Sequence, residues 1–339
     1  MLHTPLSDTG RPAPSFVLGG WGKLNSEGRR QMAEGKHGNG VRQSKQPRRR
    51  WVQRNLAYCL IAPAFLIPLA LSLVGVLGNY YSLTDYDIRY GIRDYIGLAN
   101  YVRAFTKDRM LWQTVWFIVR FTIIVLVAEI SLGFTIALAL STVSQRLSRL
   151  ARTAMMGPLC IAPVIAALMW KIAMGPVQGI LNHVLVMVGL PAVNWLGDPR
   201  IAPYAVALID VWIYTPFVVL VLNGGLQSLP RAPYEAAMLD GASAWFAFKK
   251  LTLPLLRPFL LIAVLFRACD SLNVFDIIYA STKGGPERVT TSLAGWASEN
   301  AFRWYQLGYG AALVTILYII VYAVSRRLLR LMTAGGLSE

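Results

Sequence analysis

Between two of the most apolar stretches of this 339-residue chain lies YEAAMLDGASAWFAFKKLTLP, residues 234–254. The insert is short and polar at its centre, and Gly241 stands where a helix would be expected to continue. Its meaning depends on its flanks. Residues 203–224 before it and 258–280 after it each reach the ~20 apolar residues needed to cross a ~30 Å hydrocarbon core as a helix. The same criterion applied to the whole chain gives six spans, near 56–78, 114–140, 154–174, 203–224, 258–280 and 308–330. Composition agrees: 55% of residues are hydrophobic and 15% charged, against about 45–50% and ~25% in soluble domains, and the mean hydropathy is +0.47. The chain therefore reads as an all-α integral membrane protein with six transmembrane helices, and the insert as the loop between helices four and five.

The formal net charge of +16 invites a nucleic-acid reading. However, the first 55 residues hold 11 Lys/Arg against 3 Asp/Glu, half of the total excess. A basic tail beside a first span is explained by the positive-inside bias, without nucleic acid. Residues 1–52, rich in Gly, Pro, Ser, Gln and Arg without apolar periodicity, are expected to form a disordered basic cytoplasmic tail. They do not resemble a cleaved signal peptide, because the apolar region begins too late. Residues 53–339 form the six-span domain. With the N-terminus inside, the inner segments carry 21 Lys/Arg and the outer ones 9, which places both termini in the cytoplasm and the insert on the cytoplasmic face. Cys59, Cys160 and Cys269 lie far apart within spans and are read as buried, inert thiols. No metal-ligand spacing occurs.

Locally the insert reads as helix, break, helix. Pro233 suits a first helical turn, and Glu235 meets the positive end of the helix dipole. Ala236, Ala237, Met238 and Leu239 propagate the helix, while Gly241 allows a left-handed stop and Ser243 can cap a second short helix through Phe248 and Lys250. Pro254 and Pro258 close the unit. Tyr234, Ala237, Met238 and Gly241 recur at i, i+3, i+4 and i+7, on one side of a helix. That narrow side suits either a groove on another protein or packing against the chain's own bundle.

The stretch EAAMLDGASAWFAFKKLTLPLLRP closely resembles the EAA loop of permease subunits in binding-protein-dependent ABC importers. Glu235, Ala236, Ala237, Asp240, Gly241, Ala242, Phe248, Leu253, Pro254 and Pro258 all fit that signature. Three further stretches resemble the carbohydrate branch: NVFDIIYASTKGGP from Asn273 to Pro286, YIGLANYVRAF in the first outer loop, and YGAALVTIL in the last span. The resemblance covers about residues 55–330 and favours the compact sugar or glycerol-3-phosphate permease type. It implies that the insert is a coupling helix, carried by Tyr234, Glu235, Ala236, Ala237, Met238, Asp240, Gly241, Ala242, Leu253 and Pro254, which docks into a cytoplasmic ATP-binding subunit.

Ionisable residues inside spans are costly, so each asks for a reason. Arg120 and Glu129 share span two but are nine residues apart and cannot pair on one helix. Arg120 is close enough to the outer end to snorkel, whereas Glu129 lies deeper and needs a partner elsewhere. Span five carries Arg267, Asp270, Asn273 and Asp276 at successive steps of three. Arg267 and Asp270 can pair. Glu129, Asp270, Asn273 and Asp276 are candidates to line a solute pathway, although a structural ion pair explains such a row equally. Trp170, Trp212 and Tyr214 could stack on a sugar ring or sit in an interfacial belt.

These readings describe a permease subunit of an ATP-driven importer in the inner membrane, moving a sugar or related polyol by alternating access. The resemblance implies as partners an ATP-binding subunit dimer, a second homologous permease, and a periplasmic or lipid-anchored solute-binding protein. The chain itself is expected to be no enzyme and to hold no cofactor, since no phosphate-binding Gly-x-x-x-x-Gly-Lys-Ser/Thr loop occurs and ATP belongs to the partner subunit. The alternative is an ion- or proton-coupled secondary transporter using Glu129, Asp270 or Asp276. A membrane-embedded enzyme would need a clustered catalytic set, which the spacing does not offer.

Overall fold

A computed structural model describes residues 47–334; the expected tail over residues 1–46 lies outside them. Residues 47–52, expected to belong to that tail, instead open the first helix, α1 (Pro47–Ser82). Contacts divide the chain at Ile67, within α1, and the architecture below is that of the unit from Pro68 onward.

After α1 come an antiparallel hairpin of β1 (Thr84–Asp87) and β2 (Gly91–Tyr95), then α2 (Ala99–Thr106), α3 (Arg109–Thr142), α4 (Gln145–Cys160), α5 (Pro163–Ala173) and α6 (Ile180–Met187). The second half comprises α7 (Ala202–Ser228), α8 (Ala232–Leu239), α9 (Ala244–Ala247), α10 (Leu253–Leu272), α11 (Asp276–Ser281), α12 (Leu293–Ser298) and α13 (Leu307–Ala334). Two π turns intervene, at Phe248–Thr252 and Glu299–Arg303.

Among the described residues, five helical stretches are long and apolar enough to cross a bilayer: Ile61–Ser82, Arg109–Thr142, Ala202–Ser228, Ala244–Leu272 and Leu307–Thr333. The span expected at 154–174 is instead a pair, α4 and α5, bent by 94°; counted as one, it makes six. The break has a local cause. Pro163 disfavours a helical conformation in the residue before it, and Ala162 is accordingly extended at φ −59°, ψ 135°. Pro216, a residue that commonly kinks or breaks a helix, is accommodated inside a continuous α7. Span five stops at Leu272 rather than running to 280, so Asn273 and Asp276 lie beyond its end.

α7 is apolar on all sides, the pattern of a helix enclosed by others, and two-thirds of its most apolar window is buried. Phe117, Phe121 and Val125 of α3 meet Val206, Ile209 and Ile213 of α7 in one core cluster. A second cluster joins Ile118 and Leu272 to Trp296 and Leu313, and a third joins Ala137, Val218 and Leu256. In lipid, helices associate through close packing rather than apolar burial. Gly133 illustrates this: a Cβ there would sit 2.6 Å from Val218 Cγ1. Asn100, the asparagine of the first outer-loop motif, is buried and donates to the carbonyls of Ser82 and Thr84 at 2.9 and 3.1 Å, which fastens the hairpin to α2. In the hairpin turn, the hydrogen bond from Arg89 to Asp87 raises the guanidinium pKa above its usual value.

Candidate functional site

Two sets of residues stand at opposite ends of α10. At its start, α8 begins with Pro233 in the first turn, and Gly241 ends the unit with φ +72°. Ser243 Oγ accepts from Phe246 N, capping α9 as the sequence suggests. The two-helix picture needs one correction. α9 does not close on Pro254 and Pro258; it passes through the π turn into α10, giving one helix from Ala244 to Leu272. The wider turn, in which Leu253 N donates to Phe248 O, eases the clash that the Pro254 ring makes with a preceding carbonyl.

No residue of α8 is buried. The face expected from spacing divides in two. Tyr234 turns toward the bundle and donates to Thr252 Oγ1 at 3.1 Å, whereas Met238 is 72% exposed. Leu239, Trp245 and Phe246 are exposed beside it, so four large apolar side chains project from this end. Glu235, Ala236, Asp240 and Gly241 are exposed with them, Ala237 and Ala242 are half-buried, and Leu253 and Pro254 lie at the start of α10. Behind α8, a cleft of about 910 Å³ is lined by Tyr234, Glu235 and Met238 together with Arg149, Arg152 and Arg231.

Near the other end, Arg267 of α10 ties three helices together. Its Nε donates to Glu129 Oε2 of α3 at 2.7 Å and its Nη2 to Glu129 Oε1 at 2.9 Å, a bidentate pair. Nη2 also donates to Asp210 Oδ1 of α7, and Nη1 to Asp270 Oδ2 one turn along. The guanidinium lies 3.8 Å from the centre of the Tyr214 ring. Arg267, Glu129 and Asp210 are fully enclosed, while the Asp270 side chain is half exposed.

Of the sequence-derived pathway candidates, Asp270, Asn273 and Asp276 meet at one small cavity of about 70 Å³, which Asp210 and Tyr214 also line. Glu129 does not reach it, because it sits behind Arg267. Asn273 Nδ2 is turned back onto Cys269 O at 2.8 Å. Asp210 escapes the sequence reading, although its place inside the apolar run from Val206 to Tyr214 marks it by the same rule that marks Glu129. Trp170 and Trp212 are engaged edge to face with each other at 5.8 Å, in the core. Cys160 is exposed, against expectation, because it ends α4 at the bend; Cys269 is half-buried beside Ser325 Oγ. Among the described residues, no group of three His, Cys, Asp or Glu side chains could hold a metal ion.

Residues 110–334 match the family described as binding-protein-dependent transport system inner membrane component. The chain is similar to the trehalose/maltose transport system permease protein MalF of Thermococcus litoralis, at 35% identity over 275 residues, 79% of this chain and 90% of that protein. It is also 32% identical over 288 residues to the sulfoquinovosyl glycerol transport system permease protein SmoG of Agrobacterium fabrum, covering 83% of this chain and 92% of that one. Among solved structures, the fold resembles a subunit of a bacterial ABC transporter that imports the acidic polysaccharide alginate. That match has a TM-score of 0.73 at 19% identity and covers 86% of this chain and all of the other.

Proposed function

Because the chain belongs to the family of inner-membrane components of binding-protein-dependent transport systems, we propose that it is a permease subunit of an ATP-driven importer for a sugar or related polyol, working by alternating access. As the membrane component it is the non-catalytic part of such a system. In this reading a dimer of ATP-binding subunits binds and hydrolyses the nucleotide. A second, homologous permease completes the membrane pair, and a periplasmic or lipid-anchored protein delivers the solute. Both termini and residues 234–254 face the cytoplasm.

The observation that carries the reading is the exposed α8 and the continuity of the neighbouring α9 with a span. Glu235 to Gly241 stands clear of the bundle, and the helix that follows runs unbroken from Ala244 to Leu272, close to the Arg267 cluster. A push on Trp245 or Phe246 from a closing ATPase reaches the cluster along one helix, and Met238 and Leu239 extend the contact onto α8. Asp270, Asn273 and Asp276 then supply hydrogen-bonding groups for a hydroxyl-rich solute beside that cluster. The sugar class is supported by relatives named for trehalose, maltose and sulfoquinovosyl glycerol.

The test is Gly241→Asp in the assembled transporter. A Cβ at Gly241 meets nothing within 4 Å, and the strain that its φ of +72° imposes on a side chain is smallest for Asp and Asn. Membrane insertion should therefore stay normal, with a small loss of thermal stability, while ATP-driven uptake is lost. Undiminished uptake removes α8 from the coupling role. Uptake that survives ATP depletion yet collapses with an uncoupler replaces the importer by a proton-coupled carrier.

A further inference from the structure

Beyond Leu272, on the side of the cluster remote from α8, lies a larger cavity of about 520 Å³. That size falls within the ~300–1,000 Å³ typical of small-molecule sites. Part of its lining is aromatic: Phe275 and Tyr279 stack at 5.3 Å with 21° between their planes, and Phe302 also lines the space. Part is polar, with Lys283, Arg288, Ser298 and Glu299. Glu299 Oε1 accepts from Arg288 and Arg303 at 3.3 and 3.1 Å, and among the described residues its Oε2 accepts from none. Arg288 also covers the ring of Trp296 at 5.1 Å, which fixes its direction.

The floor is a braced turn. Thr282 Oγ1 and Thr290 Oγ1 share a hydrogen bond at 2.8 Å, and Thr291 Oγ1 donates to Gly284 O at 3.1 Å. Lys283, Glu287 and Arg288 are held at φ +53°, +47° and +64°, and a Cβ on Gly284 would lie 2.6 Å from Thr291 Oγ1. Side-chain-bearing residues keep such conformations where their surroundings over-determine them, a pattern that clusters at ligand clamps. Phe275 also lines the small cavity beside the Arg267 cluster, so the two spaces meet at one shared residue.

We propose that this cavity is an entry subsite that receives one glycosyl unit of the solute before it reaches the Arg267 cluster. The proposal rests on the transport reading above. A pyranose offers a C–H face to aromatic rings and hydroxyl edges to donors and acceptors, and the lining of this cavity supplies both. Phe275, shared with the small cavity, is then the residue past which the unit moves, and Lys283 and Glu299 Oε2 are the first polar partners it meets.

The experiment uses the whole transporter, with its ATPase, second permease and binding protein, in proteoliposomes. Cys59, Cys160 and Cys269 are replaced by Ser, and Ser298→Cys provides a near-isosteric thiol in the cavity. Val177→Cys, at an 89% exposed position, serves as control. Thiol modification is timed with trehalose, maltose or an alginate trisaccharide, each with and without binding protein, and ATP-driven uptake of the same sugars is measured in parallel. Sugar at several times its dissociation constant should slow modification at position 298 about fivefold by occupancy, without binding protein, and leave position 177 unchanged. Tyr279→Ala should abolish that protection while binding protein still stimulates ATP hydrolysis.

Uptake of a sugar that gives no protection overturns the subsite alone. Protection that follows the binding protein regardless of sugar assigns the cavity to protein docking and overturns it too. Protection that persists in Tyr279→Ala removes the stacking role. ATP-driven uptake of none of the three sugars defeats the underlying transport reading, and the subsite falls with it.

Discussion

Arg267 forms ion pairs with three carboxylates, more than any other described side chain, and its position shows what a single residue can and cannot reveal in sequence. The pairing of Arg267 with Asp270 is legible because i, i+3 neighbours share a helix face. The need of Glu129 for a partner is legible from its depth in span two. The bond that joins them is not, because it bridges 138 residues and depends on how α3 and α10 meet. Removing one member of a buried pair strands the others, at roughly 3–5 kcal/mol. Arg267→Met should therefore lower the thermal midpoint of the detergent-solubilised transporter strongly. The triple variant Arg267→Met, Glu129→Leu, Asp210→Leu should recover most of that loss, as replacement of whole buried ion clusters by apolar groups generally does. Asp270→Asn should cost at most about 1 kcal/mol, since that carboxylate is half exposed to solvent. Equal losses for Arg267→Met and the triple variant would argue against an isolated charge as the cause.

At the scale of elements, the apolar runs correctly locate the spans, and the errors fall at their ends and at prolines. Hydropathy reports how much of a helix is apolar, not whether it is straight. The runs that became α4 with α5, and α10 with α11, look continuous on that measure, yet local backbone chemistry breaks them. Pro163 breaks the first. At the second, α10 ends on Asn273, whose N–H is taken by Asp270 O and Ser271 O. Conversely Pro216, which reads as an interruption, is absorbed within α7. Glycine at position 133 is equally silent in sequence, although α3 and α7 can approach only because it lacks a side chain. Gly133→Ala should cost about 1–3 kcal/mol by overpacking against the stiff β-branched Val218. The second change Val218→Ala should restore much of it. A double variant no more stable than Gly133→Ala in thermal unfolding would place the strain elsewhere.

For the molecule as a whole, the coupling reading requires α10 to shift against its neighbours as one lever. The helix from Ala244 to Leu272 has 29 residues, about 43 Å at 1.5 Å per residue. Near its far end, Ser271 Oγ donates to Thr122 Oγ1 of α3 at 3.2 Å, in a buried contact. Thr122→Cys with Ser271→Cys, in a background lacking the native thiols, should form a disulfide that cuts ATP-driven uptake at least about tenfold, reversibly on reduction. A ratio of that size corresponds to about 1.4 kcal/mol and is readily measured. Full uptake in the oxidised form would mean that α3 and α10 travel together. In the coupling reading residues 234–254 are the lever's handle, but the union of α9 with span five does not emerge from the sequence. Pro254 and Pro258 suggest a stop, yet the helix continues through the wider turn at Phe248–Thr252 and past Pro258 within α10.

The greasy tip formed by Met238, Leu239, Trp245 and Phe246 also bears on how such a subunit must be manufactured. Large exposed apolar patches mark either a partner's seat or a site of aggregation. In the coupling reading, a cell that synthesises this chain faster than its ATPase leaves the tip uncovered, and surplus copies then adhere to one another or are degraded. On that reading balanced co-production of the two subunits is written into four side chains, and expression of this one alone should yield clumped, short-lived protein.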